Sequence, residues 1–258
     1  MRRAPAKPAA SSAGLRVPPS CTGLAPAVPP PRILNPHEVP VSGTDAHLPA
    51  VPSLELTADA LRRRFGVREP WLPEFPGDGG AFAGREPAHA AVLVPLVQRG
   101  DTLHVLLTRR TDHLRDHAGQ VSFPGGRREA HDADAAATAV REAEEEVGLP
   151  HDRIEVIGEM PAYTTVTRFV VTPVVALVQP PFELALDRFE VAEAFEVPLP
   201  FLMDPAHHRR HVFTFDGGQR QFLSMPWSGT GGDGRPREYF IWGATAAMLR
   251  NLYRFLAG

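Results

Sequence analysis

The chain has 258 residues with 27 basic and 30 acidic side chains, and its formal net charge of −3 does not favour a nucleic acid or a membrane surface as partner. Its only lysine is Lys7, which excludes P-loop and Schiff-base chemistry from residues 8–258. A single cysteine, Cys21, excludes an internal disulfide and a thiolate zinc site. Because the apolar runs are shorter than the ~18 residues of a membrane span, we expect a soluble, cytoplasmic protein.

The N-terminal part of the chain is rich in proline. Residues 5–52 contain 12 of the 28 prolines, a density that opposes helices and central strands. We therefore predict a disordered leader over residues 1–52 and one folded domain over residues 53–258. The first 37 residues lack acidic side chains, as mitochondrial transit peptides do, but their prolines disfavour the amphipathic helix of such a peptide. The mitochondrial matrix is therefore the second choice of compartment.

Hydrophobic periodicity and turn residues predict the elements of the folded domain. In chain order they are a helix at 58–65 capped by Thr57, strands at 90–97 and 103–108, a helix at 134–147, strands at 154–158, 169–178, 212–215 and 239–242, and a closing helix at 245–256. Gly148 and Pro150 end the central helix.

The helix at 134–147 carries a chemical pattern. At about 100° per residue, Glu142, Glu145 and Glu146 cluster on the side away from the apolar stripe. Three acids one turn apart suit Mg²⁺ or Mn²⁺, which bind few carboxylates together with water and substrate phosphates. Arg141 can pair with Glu145 at i, i+4. The alternative interpretation is a solvated acidic face.

The segment before this helix completes a larger motif. Phe123-Pro124-Gly125-Gly126 is a turn whose backbone N–H groups can approach an anion. Turn and helix together resemble the Nudix box, which runs Gly, five residues, Glu, seven residues, then Arg-Glu-apolar-x-Glu-Glu-x-Gly-apolar. The second half of the box is matched by Arg141, Glu142, Ala143, Glu145, Glu146, Gly148 and Leu149. In the first half Asp132 replaces Glu and one extra residue precedes Arg141, which leaves the role of Asp132 open.

A second pattern resembles the signature of the Nudix coenzyme A diphosphatases. It consists of Leu106-Leu107-Thr108, Arg110, Arg115, Gly119 and Phe123-Pro124-Gly125-Gly126, with Thr111 where the signature has Ser or Ala. The resemblance implies an α/β fold in which a mixed β-sheet is sandwiched between α-helices. It also implies metal-dependent hydrolysis of coenzyme A (CoA) or acyl-CoA to 3',5'-ADP and 4'-phosphopantetheine or its acylated form. Arg110 and Arg115, with Gly125 and Gly126, are the candidate phosphate-binding residues.

The resemblance also implies roles for the acids. Glu142 and Glu146 are expected to bind Mg²⁺ or Mn²⁺, with Glu145 as a further ligand or base and Arg141 beside them. The general base stays open among Glu145, Glu190 and Glu193. The expected partner is a small-molecule substrate alone, with a homodimer as the candidate assembly. The alternative functions are hydrolysis of another nucleoside diphosphate, such as ADP-ribose or an oxidised nucleotide, and nucleotide binding without turnover.

Overall fold

The computed structural model describes residues 33, 35–67, 70–78, 86–113, 118–167, 169–216, 218–231 and 234–258. Within these ranges the chain forms twelve strands and four α-helices. The strands are β1 (Val41–Thr44), β2 (Ala88–Arg99), β3 (Thr102–Arg110), β4 (Val121–Ser122), β5 (Gly125–Arg127), β6 (Ile154–Glu159), β7 (Tyr163–Thr164), β8 (Phe169–Val178), β9 (Val191–Pro198), β10 (Arg209–Phe215), β11 (Gly218–Thr230) and β12 (Pro236–Trp242). The helices are α1 (Ala58–Gly66), α2 (Ala135–Val147), α3 (Leu199–Leu202) and α4 (Gly243–Ala257).

The larger sheet has eight strands and is mixed. Its main path is β4-β3-β2-β8-β6, while β5, β7 and β9 pair with β2, β8 and β3. β2 and β8 run parallel, and the other pairs are antiparallel. Because side chains alternate along a strand, Leu93 packs towards α2 and Val94 packs on the opposite face. Both faces are therefore covered, which explains why β2 and β8 read as continuous apolar runs.

Helices cover this sheet on its two sides. α2 packs Ala139, Ala143 and Val147 against one face. The opposite face is buried under α1, α4 and a second, antiparallel sheet of order β1-β10-β11-β12. The expected mixed sheet between helices is confirmed, and the fold is α/β. The second sheet adds two strands, β1 and β11, that the sequence analysis did not predict.

The folded domain begins before residue 53, so the predicted boundary of the leader is wrong. β1 pairs with β10, and the Asp45 N–H donates to the His208 carbonyl at 3.2 Å. The buried Asp45 carboxylate accepts from Arg210 Nε at 2.7 Å and lies 3.1 Å from Arg250 Nη1. A short edge strand and a buried ion pair can fix a proline-rich segment, because neither requires the helices or central strands that proline opposes. Residues 1–32 lie outside the described residues.

In the described part of the chain, no helix is both long enough and apolar enough to cross a bilayer.

Candidate active site

Local sequence fixes both ends of α2, the helix that carries the acidic motif. The Asp134 side chain caps the first turn and accepts from the Ala137 N–H at 2.8 Å. At the other end Gly148 takes a left-handed conformation with φ of 67°, and its N–H reaches the carbonyls of Ala143 and Glu144. The ends predicted from the sequence are confirmed. Since the apolar side of α2 packs on the sheet, the acids on its other side lie near the start of β5.

Glu146 is buried against the glycine turn. Only 6% of this residue is exposed. The Gly125 N–H donates to Glu146 Oε2 at 3.1 Å, and Arg110 Nη1 lies 3.8 Å from Oε1. Burial raises the pKa of Glu146 to about 7, although both of these contacts oppose the rise. Glu146 is thus a desolvated carboxylate, which a cation beside it would stabilise in the charged form.

Glu142 lies against the second glycine of the turn. A Cβ atom added at Gly126 would stand 2.5 Å from Glu142 Oε1, so only glycine permits this approach. Arg141 Nη1 donates to the same oxygen at 3.0 Å. Burial raises the pKa of Glu142 above its usual range, as it does for Glu146. Two carboxylates therefore meet at one backbone turn.

Glu145 is more exposed than this pair, and its expected role as a further metal ligand or base stays a prediction. Its side chain is 60% exposed and accepts from Arg141 Nη1 at 2.9 Å, so the expected i, i+4 pair does form. The reason for the difference in exposure is helical geometry: Glu146 lies only about 40° around the helix from Glu142, whereas Glu145 lies about 60° away in the other direction.

Asp132 forms an ion pair with Arg141. Arg141 Nε and Nη2 donate to Asp132 Oδ1 and Oδ2, both at 3.0 Å. The carboxylate also accepts from Thr138 Oγ1 at 3.0 Å and from the Glu129 N–H at 2.8 Å. The hydrogen bonds from Arg141 hold the pKa of Asp132 well below its usual range. Asp132 thereby fixes the guanidinium that contacts Glu142.

The remaining candidates separate into two groups. Arg110 Nη2 lies 3.6 Å from Glu190 Oε2. Because Arg110 also lies close to Glu146, one guanidinium contacts both carboxylates. Glu193 is buried in β9, where it accepts from Tyr239 Oη at 2.9 Å and pairs with Arg237 of the second sheet.

Arg115, the second predicted phosphate-binding arginine, lies outside the described residues.

A cavity of about 450 Å³ adjoins the carboxylate pair through Gly125. Its other lining residues come from several strands, the turn before Gly125 and the start of α4, and include Arg110, Ser122, Phe123, Thr165 and Trp242. The volume is within the range typical of small-molecule sites.

The donor set fits a divalent cation with an incomplete protein shell. Among the described residues no group of three or more His, Cys, Asp or Glu side chains forms a ready-made metal site. Glu142 and Glu146 nevertheless offer hard oxygen atoms one helical turn apart, and both carboxylates lie against the Gly125-Gly126 turn. Mg²⁺ commonly takes one or two carboxylates and completes its shell with water and phosphate oxygens. The residues therefore fit such an ion.

Comparisons with known proteins identify the family. A family profile described as NUDIX domain matches residues 87–215. The chain is 38% identical over 201 residues to the "Uncharacterized Nudix hydrolase NudL" of Shigella flexneri serotype 5b, with 76% of this chain and 93% of that protein covered. The chain is a member of the Nudix hydrolase family.

The chain is also similar to other Nudix proteins. The protein of the same name from Escherichia coli strain K12 is 42% identical over 164 residues, which cover 63% of this chain and 80% of that one. A solved MutT/nudix family protein from Enterococcus faecalis aligns with a TM-score of 0.40 and 14% identity, over 77% of this chain and 74% of that one. Nudix hydrolases act on diphosphate bonds and generally need a divalent metal ion.

Proposed function

We propose that this Nudix hydrolase cleaves the diphosphate of CoA or acyl-CoA to 3',5'-ADP and 4'-phosphopantetheine or its acylated form, with Mg²⁺ or Mn²⁺. The observation that carries the proposal is the Glu142–Glu146 pair on the Gly125-Gly126 turn, beside a cavity that Arg110 lines. The resemblance of residues 106–126 to the CoA diphosphatase signature supplies the substrate class.

The reaction adds water to one phosphorus and breaks its bond to the bridging oxygen, so that each product keeps one phosphate of the former diphosphate. When bound, the divalent ion supplies charge neutralisation of the phosphates and a lower pKa for the attacking water. Glu142 and Glu146 would hold this ion. The Gly125 N–H fixes the carboxylate of Glu146, and Arg141, itself held by Asp132, fixes that of Glu142.

The substrate contacts and the base follow from the same arrangement. We assign the diphosphate to Arg110 and to the backbone of Gly125 and Gly126, with Arg115 as a further proposed phosphate ligand. Among the candidate bases Glu190 is linked to Glu146 by Arg110, whose guanidinium lies within 4 Å of both carboxylates. Glu193 is engaged by the second sheet and Glu145 by Arg141. We therefore propose Glu190 as the general base.

A substrate panel tests the proposal. The full chain, with Mg²⁺ and separately with Mn²⁺, is given CoA, acetyl-CoA, dephospho-CoA, ADP-ribose and an oxidised nucleoside triphosphate, and the products are identified by mass. We expect the highest kcat/KM for CoA or acetyl-CoA. A preference for ADP-ribose or the oxidised nucleotide would assign the chain to that rival activity. Binding of these compounds without turnover of any would indicate a non-catalytic module.

The proposal extends to assembly and location. We propose a cytoplasmic enzyme that acts on its small-molecule substrate as a homodimer, without a nucleic-acid or membrane partner. Light scattering after size-exclusion chromatography tests the dimer, and fractionation of the native cells tests the compartment.

A further inference from the structure

The cavity beside the carboxylate pair has a second cationic group on its wall. Among the described lining residues the arginines are Arg110 and Arg220. Arg110 already faces the acids, because it lies within 4 Å of both Glu146 and Glu190. Arg220 comes from β11 in the second sheet, and no acid of the Nudix box contacts it in the described structure. The cavity therefore offers a cation that the diphosphate chemistry does not use.

Arg220 is held in place by Asp78. Arg220 Nη2 lies 3.4 Å from Asp78 Oδ2, and its side chain is only 17% exposed. The Tyr163 hydroxyl donates a short hydrogen bond to the other oxygen of Asp78. The carboxylate is thus shared between a cation and a hydroxyl group. Its negative charge is largely compensated before a ligand arrives.

The backbone around Asp78 is fixed as well. The Asp78 N–H donates to the Thr164 carbonyl at 2.8 Å. A Cβ atom on Gly77 would stand 2.3 Å from that same carbonyl oxygen, so glycine is required for this approach. The segment before Asp78 is consequently held against β7. Asp78, fixed in this way, in turn holds Arg220. Positioning of this kind lowers the entropy cost of binding a ligand.

The surroundings of Arg220 favour an anionic group that lies next to an aromatic or apolar part of the ligand. The guanidinium has five N–H donors in a planar fork. Within the described part of the chain its ion pair is with Asp78, through Nη2, so other N–H groups can face a ligand in the cavity. Phe123, Val171, Trp242 and Met248 add apolar surface to the wall of the cavity. A charge-assisted hydrogen bond is stronger in such a setting than in water.

We infer that Arg220 recognises a second phosphate of the substrate, the ribose 3'-phosphate of CoA, while Arg110 serves the diphosphate. This inference rests on the proposed function. It makes Arg220 the residue that distinguishes CoA from dephospho-CoA, with Asp78 and Tyr163 as positioning residues. The box acids cannot make this distinction, because both substrates present them with the same diphosphate.

A two-by-two comparison of enzyme and substrate tests the inference. Wild-type protein and Arg220→Gln are each assayed with CoA and with dephospho-CoA. Loss of the charged contact should lower kcat/KM for CoA roughly tenfold to a hundredfold, mainly through KM. The kcat/KM for dephospho-CoA should be the same in both proteins. The loss caused by the mutation and the loss caused by the missing phosphate should therefore not be additive. Arg220→Lys should recover part of the loss.

Product inhibition gives an independent readout. Adenosine 3',5'-bisphosphate should inhibit Arg220→Gln at least tenfold more weakly than wild type, whereas inhibition by AMP should be equal in both. Tyr163→Phe keeps Arg220 but loosens Asp78, and should reproduce the CoA-specific loss on a smaller scale. This variant covers the case in which Arg220→Gln does not fold.

The matched control is Arg209→Gln, which alters an exposed arginine on the neighbouring strand β10. It should change neither substrate's kinetics. Equal losses of kcat/KM for CoA and dephospho-CoA in Arg220→Gln would overturn the inference. It would also be overturned if the effect of Arg115→Ala, and not that of Arg220→Gln, failed to add to the effect of the missing phosphate. Both results would leave the proposed function intact. Failure of the wild type to cleave either CoA compound, with ADP-ribose cleaved, would instead overturn the proposed function and this inference with it.

Discussion

Glu142 and Glu146 are the residues on which the proposed chemistry depends. Each is desolvated, and each is held by one fixed donor, the Arg141 guanidinium or the Gly125 N–H. Burial raises the pKa of both carboxyl groups. Burial of such a pair in the charged form destabilises the fold, whereas the same charges would hold a divalent ion needed for catalysis. Replacement of Glu146 should therefore affect activity and stability differently.

Glu146→Gln should abolish most activity without lowering the melting temperature. We expect kcat/KM to fall more than about 100-fold, beyond the loss typical of outer-shell partners of a metal. The melting temperature should stay the same or rise, because burial raises the pKa of Glu146 to about 7 and Gln is close in shape to the neutral carboxyl. Glu144→Gln on the exposed side of α2 is the control. Equal activity losses in the two variants would contradict the assignment.

Asp132→Asn should destabilise the protein in a pH-dependent way. The pKa of Asp132 in the folded protein is held below its unfolded value of about 3.9 by Arg141. A depressed pKa contributes stability that is present above pH 4 and lost as the pH falls towards the folded pKa. The gap in melting temperature between Asp132→Asn and wild type should therefore shrink between pH 7 and pH 3. Asp152→Asn, at an exposed aspartate, should show no such gap, and a gap for Asp132→Asn that is constant with pH would rule out this ion pair as its cause.

At the scale of elements, β1 shows how a proline-rich segment can contribute to the stability of the fold. The strand itself is exposed, but the residue that follows it, Asp45, is buried beside Arg250, whose side chain is 2% exposed. Removing one partner of a buried ion pair typically costs more than the pair contributes, because the other charge is left without compensation.

Deletion of residues 1–46 should therefore destabilise the domain, whereas deletion of residues 1–32 should not. Loss of the Asp45 partner is expected to cost roughly 3 to 5 kcal/mol, which lowers the melting temperature by roughly 10 °C in a domain of this size. Thermal unfolding of the two truncated chains measures the difference. Asp45→Asn in the full chain should account for most of it. Equal melting temperatures for the two truncations would show that β1 and Asp45 contribute little.

Elements differ in how far the sequence predicts them. α2 was predicted nearly to the residue because its cap, periodicity and terminal glycine agree. β9 was missed although its side chains alternate between buried and partly exposed, because one of the buried positions is Glu193. That glutamate is compensated by Arg237 and Tyr239, which come from a distant part of the chain. A period-two pattern read from a single segment cannot anticipate such a partner.

On the scale of the whole molecule, the sequence predicted the box and the strands β2, β3, β6 and β8 of the larger sheet, but not what the second sheet adds. β11 contains glycine and proline within a strand, which hid it from a propensity argument. Its Arg220 meets Asp78 and Tyr163 only in the folded chain. In the same way, the motif contains three acids, while the packing of α2 places two of them, Glu142 and Glu146, against the glycine turn. Local pattern thus predicted the catalytic end of the site, and tertiary contacts define the end that we propose selects the substrate.

The most direct test of the account is hydrolysis of CoA in ¹⁸O-labelled water, with the products identified by mass. We predict 3',5'-ADP and 4'-phosphopantetheine, with one ¹⁸O atom in one of the two, formed only when Mg²⁺ or Mn²⁺ is present and nearly absent with Glu146→Gln. Cleavage at a bond other than the diphosphate, undiminished cleavage by Glu146→Gln, or no cleavage of CoA by a folded wild-type protein would contradict the account.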